Sequence, residues 1–130
     1  MIVDSSVIIA ILSGEPEAQS FADAIAGAPS REISAVNYVE AAVVIDSRGD
    51  PVFSRKIDDL LREAQVGIEP VTVEQARIAR AAYRDFGKGR HRAGLNFGDC
   101  FAYALAKDKG EPLLFQGDDF KRTDVEPAEY

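Results

Sequence analysis

The sequence predicts an α/β fold in which a short parallel β-sheet is covered by helices. Short apolar runs alternate with segments of helical periodicity at the spacing of β–α–β crossover units. The 130 residues suffice for one domain with its own core, and no linker, internal repeat or low-complexity segment interrupts them. Apolar residues at 46% and charged residues at 28% are typical of a globular protein. We therefore expect residues 1–130 to form a single domain.

Four short segments are the predicted strands, each bounded by polar or turn-forming residues. They are residues 1–3, 32–34, 68–71 and 112–115.

The helices are predicted from capping residues and from the glycines and prolines that interrupt the pattern. The first covers residues 7–12 after a cap at Ser5 or Ser6, and the second runs from Pro16 to Ala26. The remaining predictions are a helix after Ser34 to about Ser47, one from Pro51 to near Gly67, one from Thr72 to Phe86 with Gln75 completing a capping box, and one over Phe97–Lys107 capped by Asn96.

Composition and chain ends limit the class of protein. The 15 basic and 22 acidic residues give a net charge of −7, which as a total argues against nucleic acid as a partner. A single cysteine excludes an internal disulfide and fits a reducing compartment. The amino terminus has no basic region and no apolar run is long enough to cross a membrane, so we expect a cytoplasmic protein.

Acidic residues stand where the predicted fold would make them costly. Asp4 and Asp118 follow apolar strands, at the sheet edge where open parallel sheets bind their ligands. A helix cap for Asp4 and a turn for Asp118 are the structural alternatives.

Two further acids lie on helices. Val36, Val39, Val43 and Val44 mark a predicted core-facing stripe that also contains Glu40, unless Glu40 lies at the stripe's edge. Asp99 is in the first turn of a helix that is apolar almost all round, where it could also be a capping residue.

Carboxylates with few other polar groups favour Mg²⁺ or Mn²⁺, hard cations that take oxygen ligands. The chain has one histidine and one cysteine, so a zinc site or a nucleophilic triad is disfavoured, and no glycine-rich phosphate-binding loop is present. Cys100 is predicted to be a small core residue. The chemistry that this pattern favours is metal-assisted displacement at phosphorus.

A run of basic residues precedes Asp99. Arg84, Lys88, Arg90, His91 and Arg92 are opposed only by Asp85. Such a run is often only a solvated loop, but beside a phosphorus-directed metal site it can hold a polyanion's backbone. We therefore predict RNA binding by Lys88, Arg90, His91 and Arg92, since a net acidic charge is compatible with a locally basic rim.

Four segments together resemble the PIN-domain nucleases, and most closely the VapC-type ribonuclease toxins of bacterial type II toxin–antitoxin systems. They are Met-Ile-Val-Asp-Ser-Ser at the start, Ile33–Glu40, Leu95–Ala104 and Leu113–Phe120. The resemblance extends over essentially the whole chain. It implies a three-layer α/β/α sandwich around a short central parallel sheet.

By this resemblance, Asp4 and Asp99 are the principal metal ligands, with Glu40 and a fourth acid completing the site. Ser6 matches a hydroxyl that helps to orient water or metal. The end of the fourth strand departs from the family pattern, so either Asp118 or Asp119 supplies the fourth acid. We prefer Asp118 because it is nearer the end of the strand, and we expect Asp119 to cap the next turn.

The resemblance also implies a Mg²⁺- or Mn²⁺-dependent endoribonuclease, a homodimer, and a small VapB-like antitoxin that covers the active site. Two alternatives are a housekeeping PIN-type RNA-processing enzyme without an antitoxin and a non-catalytic binding module. A phosphatase of the aspartyl-phosphate type is disfavoured, because it expects a second aspartate where this chain has Ser6.

Overall fold

The computed structural model describes all residues from Met1 to Tyr130. Its centre is a sheet of four parallel strands, which are β1 (Ile2–Val3), β2 (Glu32–Ser34), β3 (Gly67–Glu69) and β4 (Leu113–Leu114). The spatial order is β3-β2-β1-β4, so the first strand lies between the second and the last. In register, Ile2 lies opposite Leu113 and Val3 opposite Leu114. This order brings the carboxyl ends of β1, β2 and β4 side by side.

The helices are α1 (Ser5–Leu12), α2 (Ala18–Gly27), α3 (Ala35–Asp46), α4 (Pro51–Ser54), α5 (Lys56–Glu63), α6 (Val73–Phe86) and α7 (Phe97–Lys109), with a 3₁₀ turn at Phe120–Arg122.

Two apolar cores lie on opposite faces of the sheet. Successive side chains of a strand point to opposite faces, so Val3 belongs to one core and its neighbour Ile2 to the other. The first core includes side chains from α1, α2, α3 and α5, and the second is built by α6 and α7. The predicted three-layer α/β/α sandwich is thereby confirmed.

Element boundaries differ from the predicted ones in a few places. The helix expected from Pro51 to near Gly67 is two helices separated at Arg55, and β3 begins at Gly67 and ends at Glu69. The second helix begins at Ala18 rather than Pro16, and the last extends to Lys109.

The prediction of the buried face of α3 was wrong. Val39 and Val43 are 55% and 61% exposed, whereas Asn37, Ala41 and Ile45 are fully buried. Both sets have helical spacing, so periodicity alone could not separate them. The small side chain of Ala41 packs in the core shared with α1, and this turns the valines outward.

No helix of the structure combines the length and the apolar composition needed to cross a membrane.

Candidate active site

Asp4 lies between β1 and α1 and is both a helix cap and a buried acid. Its Oδ2 accepts hydrogen bonds from the Ser6 backbone N–H (3.1 Å) and from Ser6 Oγ (2.6 Å). The residue is only 3% exposed, and its other oxygen, Oδ1, is buried without a hydrogen-bond partner. A buried carboxylate oxygen without a donor is costly unless a proton or a cation satisfies it.

Ser6 connects Asp4 to the end of the last strand. While its hydroxyl donates to Asp4, the same Oγ accepts from the Gln116 backbone N–H at 3.1 Å. The Ser6 hydroxyl is therefore both a hydrogen-bond donor and an acceptor. It holds the Asp4 carboxylate by Oδ2, so that Oδ1 remains free.

Glu40 projects from α3 and is half-buried, not on the core stripe where it was predicted. Its Oε1 accepts hydrogen bonds from Ser5 Oγ and, at 3.4 Å, from Asn37 Nδ2. The Asn37 amide also donates to the Gly98 carbonyl at 2.9 Å, which ties α3 to the first turn of α7.

The absence of a side chain at Gly98 leaves room for the Glu40 carboxylate. A Cβ placed at Gly98 would overlap Glu40 Oε2 and would stand 2.7 Å from Oε1. The carboxylate of α3 therefore rests against the backbone of α7, one residue before Asp99.

Asp99 is held by a capping box at the start of α7. Its Oδ2 accepts from the Asn96 backbone N–H at 3.0 Å, and the Asn96 side chain accepts from the Asp99 N–H at 2.9 Å. Asp99 therefore has the capping role that the sequence allowed, and the same residue faces the other acids.

Burial and like charges make these carboxyl groups poor acids. Loss of solvent raises the pKa of Asp4 to about 6, partly opposed by the Ser6 hydrogen bonds. Burial also raises the pKa of Asp99 to about 7, and the charges of Asp4, Glu40 and Asp119 raise it further. No three Asp, Glu, His or Cys side chains converge at metal-ligating spacing, so the acids are grouped but do not form a closed cage.

Asp118 and Asp119 differ in their surroundings. The Asp118 side chain is 71% exposed and forms an ion pair with Lys121 at 3.1 Å. Asp119 makes no capping hydrogen bond to the following turn, but its charge acts on Asp99. Both residues are exposed, and the charge of Asp119 is the one that contributes to the raised pKa of Asp99.

The predicted basic loop separates into two parts. Lys88 and Arg90 are exposed and lie against Tyr83 of α6, with the Arg90 guanidinium 5.7 Å from the ring centroid. His91 is half-buried, packs edge-on against Phe86 with ring centroids 5.3 Å apart, and accepts the Ala93 N–H at Nδ1. The imidazole therefore supports the loop.

Arg92 is exposed, and its carbonyl accepts a hydrogen bond from Arg122 at 3.3 Å.

Sequence reasoning missed three residues that position the acids, Ser5, Asn37 and Gly98. Asn37 and Ala41 are four residues apart on the buried face of α3, and a polar residue on such a face was the available signal. Ser5 and Gly98 left no signal, because their contacts join segments far apart in the chain.

Comparison with known proteins agrees with this fold. The family model of the PIN domain matches residues 1–126. Ribonuclease VapC28 of Mycobacterium tuberculosis is 57% identical over 129 residues, which is 98% of this chain and 97% of that protein. The chain therefore belongs to the PIN-domain family, among the VapC ribonucleases.

Solved structures show the same fold at low sequence identity. The crystal structure of Mycobacterium tuberculosis VapC20, described as a sarcin-ricin loop cleaving toxin, superposes with a TM-score of 0.76 at 18% identity and covers 95% of each chain. A chain of a toxin–antitoxin complex from Klebsiella pneumoniae gives a TM-score of 0.73 at 18% identity, covering 95% of this chain and 92% of that one.

Proposed function

We propose that this protein is the toxin of a type II toxin–antitoxin system and acts as a Mg²⁺- or Mn²⁺-dependent endoribonuclease that hydrolyses RNA phosphodiester bonds in the cytoplasm. The observation that carries the proposal is the unpartnered buried oxygen of Asp4, grouped with Asp99 and Glu40. Membership of the VapC ribonucleases supports it.

The donor set fits a divalent cation. Asp4 and Asp99 repel one another's charge and are desolvated, so each binds a proton more tightly than a solvated carboxyl group. A hard cation relieves the same repulsion and takes carboxylate oxygens as ligands. Asp4 Oδ1, with no competing hydrogen bond, is the oxygen best disposed to bind it.

The residues of such a site would have different roles. Asp4 and Asp99 would hold the cation, and Ser6 keeps Asp4 in one rotamer by occupying Oδ2. Glu40, oriented by Ser5 and Asn37, supplies a further carboxylate that can orient a water toward the phosphate. When bound, the cation lowers the pKa of water and offsets the charge that develops on the phosphate.

Asp119 is our candidate for the fourth acid. Its charge acts on Asp99, whereas Asp118 is directed to solvent and paired with Lys121. Replacing Asp119 with Asn should therefore weaken Mn²⁺ binding more than replacing Asp118.

The proposal includes two protein partners, a VapB-like antitoxin and a second copy of the chain. An apolar recess lined by Ala35, Val36, Val39 and Phe97 lies directly beside Glu40. A partner segment seated there would cover the acids and block access of RNA. The exposed Val39 and Val43 on α3 provide apolar surface for a subunit contact, which the mass in solution would test.

The central experiment pairs cation binding with RNA cleavage. Purified wild type, Asp4→Asn and Asp99→Asn are titrated with Mn²⁺ by calorimetry and incubated with total RNA in Mn²⁺ or in EDTA. We expect wild type to bind Mn²⁺ and cleave only with the cation present. Both variants should lose cleavage by at least about a hundredfold, because the cation loses a ligand.

Asp118→Asn is the matched control, since it removes the same charge from an exposed site and should cleave like wild type. Cleavage by Asp4→Asn and Asp99→Asn at the wild-type rate, or equal cleavage in EDTA, would refute the proposed function.

A further inference from the structure

A second groove lies beside the acids, between α6 and α7. It has a volume of about 530 Å³ and is lined mainly by apolar and aromatic side chains, with two cations among them; its wall includes Ala76, Arg80, Tyr83, Lys88, Phe97 and Phe101. This size is within the range of small-molecule binding pockets. Neither the acid site nor the recess on α3 makes use of it.

Two aromatic rings are presented in this groove. Phe97 is 73% exposed and packs against Phe101 with ring centroids 5.0 Å apart. Tyr83 is 42% exposed, and its ring packs against Gly87, where a Cβ would stand 2.7 Å from Tyr83 Cδ1. An exposed phenylalanine ring costs solvation free energy unless a ligand covers it.

Cations without acidic partners surround the Tyr83 ring. Arg80, Arg84 and Arg90 line an adjoining cleft with Tyr83, and none of the chain's salt bridges involves them. In a protein of net charge −7, three arginines clustered on one surface suit an anionic ligand.

The start of α7 contributes residues to the groove next to Asp99 in the chain. Asn96 and Phe97 line it, and Asn96 is hydrogen-bonded to Asp99. Phe97 also lines the recess that contains Glu40, so the groove and this recess share one side chain.

We propose that the groove between α6 and α7 binds an unpaired nucleobase of the RNA next to the cleaved phosphodiester; this rests on the proposed nuclease function. Phe97 and Tyr83 provide ring surfaces for the base, and Arg80, Arg84 and Arg90 hold the flanking phosphates. Aromatic stacking combined with a cationic track is how proteins bind single-stranded nucleic acid, and a base within a duplex could not reach these rings.

Charge decides between RNA and a protein partner for this groove. The recess on α3 is lined by apolar residues and Glu40 and contains no cation, which suits a protein segment. The groove on α6 and α7 contains Arg80 and Lys88 and adjoins Arg84 and Arg90, which suits phosphates. Because Phe97 borders both, a partner in the recess would compete with RNA.

Fluorescence of 2-aminopurine, which falls when the base stacks on an aromatic ring, tests this proposal. A single-stranded RNA that carries this base is titrated with protein in EDTA, so that no cleavage intervenes. We expect wild type and Phe97→Trp to quench the fluorescence. Phe97→Leu and Tyr83→Leu should quench little and bind about 5- to 150-fold more weakly. Val52→Ala, at an exposed apolar residue of α4, is the control and should match wild type.

The phosphate contacts have their own readout in the salt dependence of binding. Arg80→Ala should reduce the slope of log affinity against log salt by about 0.7, the value for one phosphate contact on a single strand. Arg62→Ala, which removes an exposed arginine from α5, should leave the slope unchanged.

The outcomes separate this inference from the proposed function. Quenching that Phe97→Leu abolishes supports the nucleobase site whether or not wild type cleaves RNA in Mn²⁺. Unchanged quenching and affinity in both leucine variants would overturn the site even if wild type cleaves. Equal competition by a duplex of the same sequence would also overturn it. So would a Tyr83→Leu variant that binds RNA normally but no longer binds a VapB-like antitoxin, because Tyr83 lines the groove and not the recess, and the groove would then be a protein-docking site.

Discussion

Asp99→Asn should make the metal-free protein more stable at neutral and alkaline pH while abolishing its activity. Burial and the neighbouring charges of Asp4, Glu40 and Asp119 raise the pKa of Asp99 to about 7, from an ordinary value of 3.8. The folded state therefore binds this proton about a thousandfold more tightly than the unfolded state, which corresponds to about 4 kcal/mol. Since Asp99 is partly open to solvent, we expect roughly half of this, about 2 kcal/mol.

The sign follows from where the proton is bound. Below about pH 4, Asp99 is protonated in both the folded and the unfolded state, so it does not lower the free energy of unfolding. As the pH rises from about 4 to about 7, the unfolded state loses this proton while the folded state still holds it, so stability falls; above about pH 7 both states are ionised and the loss stays constant. Asparagine carries no charge, and its side-chain oxygen can still accept the Asn96 N–H that completes the capping box.

Urea unfolding followed by circular dichroism, in EDTA at about pH 5 and about pH 8, measures the effect. Asp99→Asn should exceed wild type in unfolding free energy at pH 8, and by less than half as much at pH 5. Added Mn²⁺ should reverse the order at pH 8, because it stabilises only a protein that binds it. Asp118→Asn, which removes an equal charge from an exposed site, should lie within about 0.5 kcal/mol of wild type throughout.

The reasoning would be refuted if Asp99→Asn were less stable than wild type at pH 8. A gain of the same size at both pH values would equally refute it, since the cause would then not be the carboxylate charge.

Further predictions concern the contacts that hold the acids. Gly98→Ala should displace the Glu40 carboxylate, lower Mn²⁺-dependent cleavage at least about tenfold and cost about 1–3 kcal/mol of unfolding free energy in a urea titration. Gly27→Ala, where a Cβ meets no atom within 4 Å, should have little effect, and equal losses in the two variants would contradict the overlap. Asn37→Ala leaves the Gly98 carbonyl without its buried donor and should cost about 1–3 kcal/mol in the same titration, and an unchanged unfolding midpoint would count against the link. Burial raises the pKa of the Cys100 thiol to about 11, so a thiol reagent at about pH 8 should label it only as the protein unfolds; rapid labelling of the native protein would contradict this.

The layered fold was predictable because its signals are local. Short apolar runs, the Thr72 and Asn96 caps and the nearly all-apolar α7 each report their own segment, and their alternation implies a parallel sheet. The predicted direction of α3 failed because two helical faces, one with valines and one with Asn37, Ala41 and Ile45, have equal periodicity. Packing against the neighbouring elements, α1 and α7 foremost, selects between them.

The sequence allowed the residues of the candidate site to be predicted better than their arrangement in space. Acids directly after apolar strands stand out in any sequence, because burying a charge is costly, and Asp4 is found buried. The choice between Asp118 and Asp119 depends on the direction of a turn after β4, which adjacent residues of the same type do not reveal. His91, read as a cation for RNA, is half-buried and packs against Phe86.

The amino-acid sequence alone was therefore enough to predict the succession of strands and helices along the chain and the identity of the candidate acids. Each of these depends on a residue and its near neighbours. Long-range packing decided what those acids do. It leaves Asp4 Oδ1 without a partner, seats Glu40 against Gly98 across two helices, and gathers arginines of α6 and the following loop around one ring. Desolvation and Coulombic interactions depend on distances through space, and those exist only once the sheet has brought distant segments together.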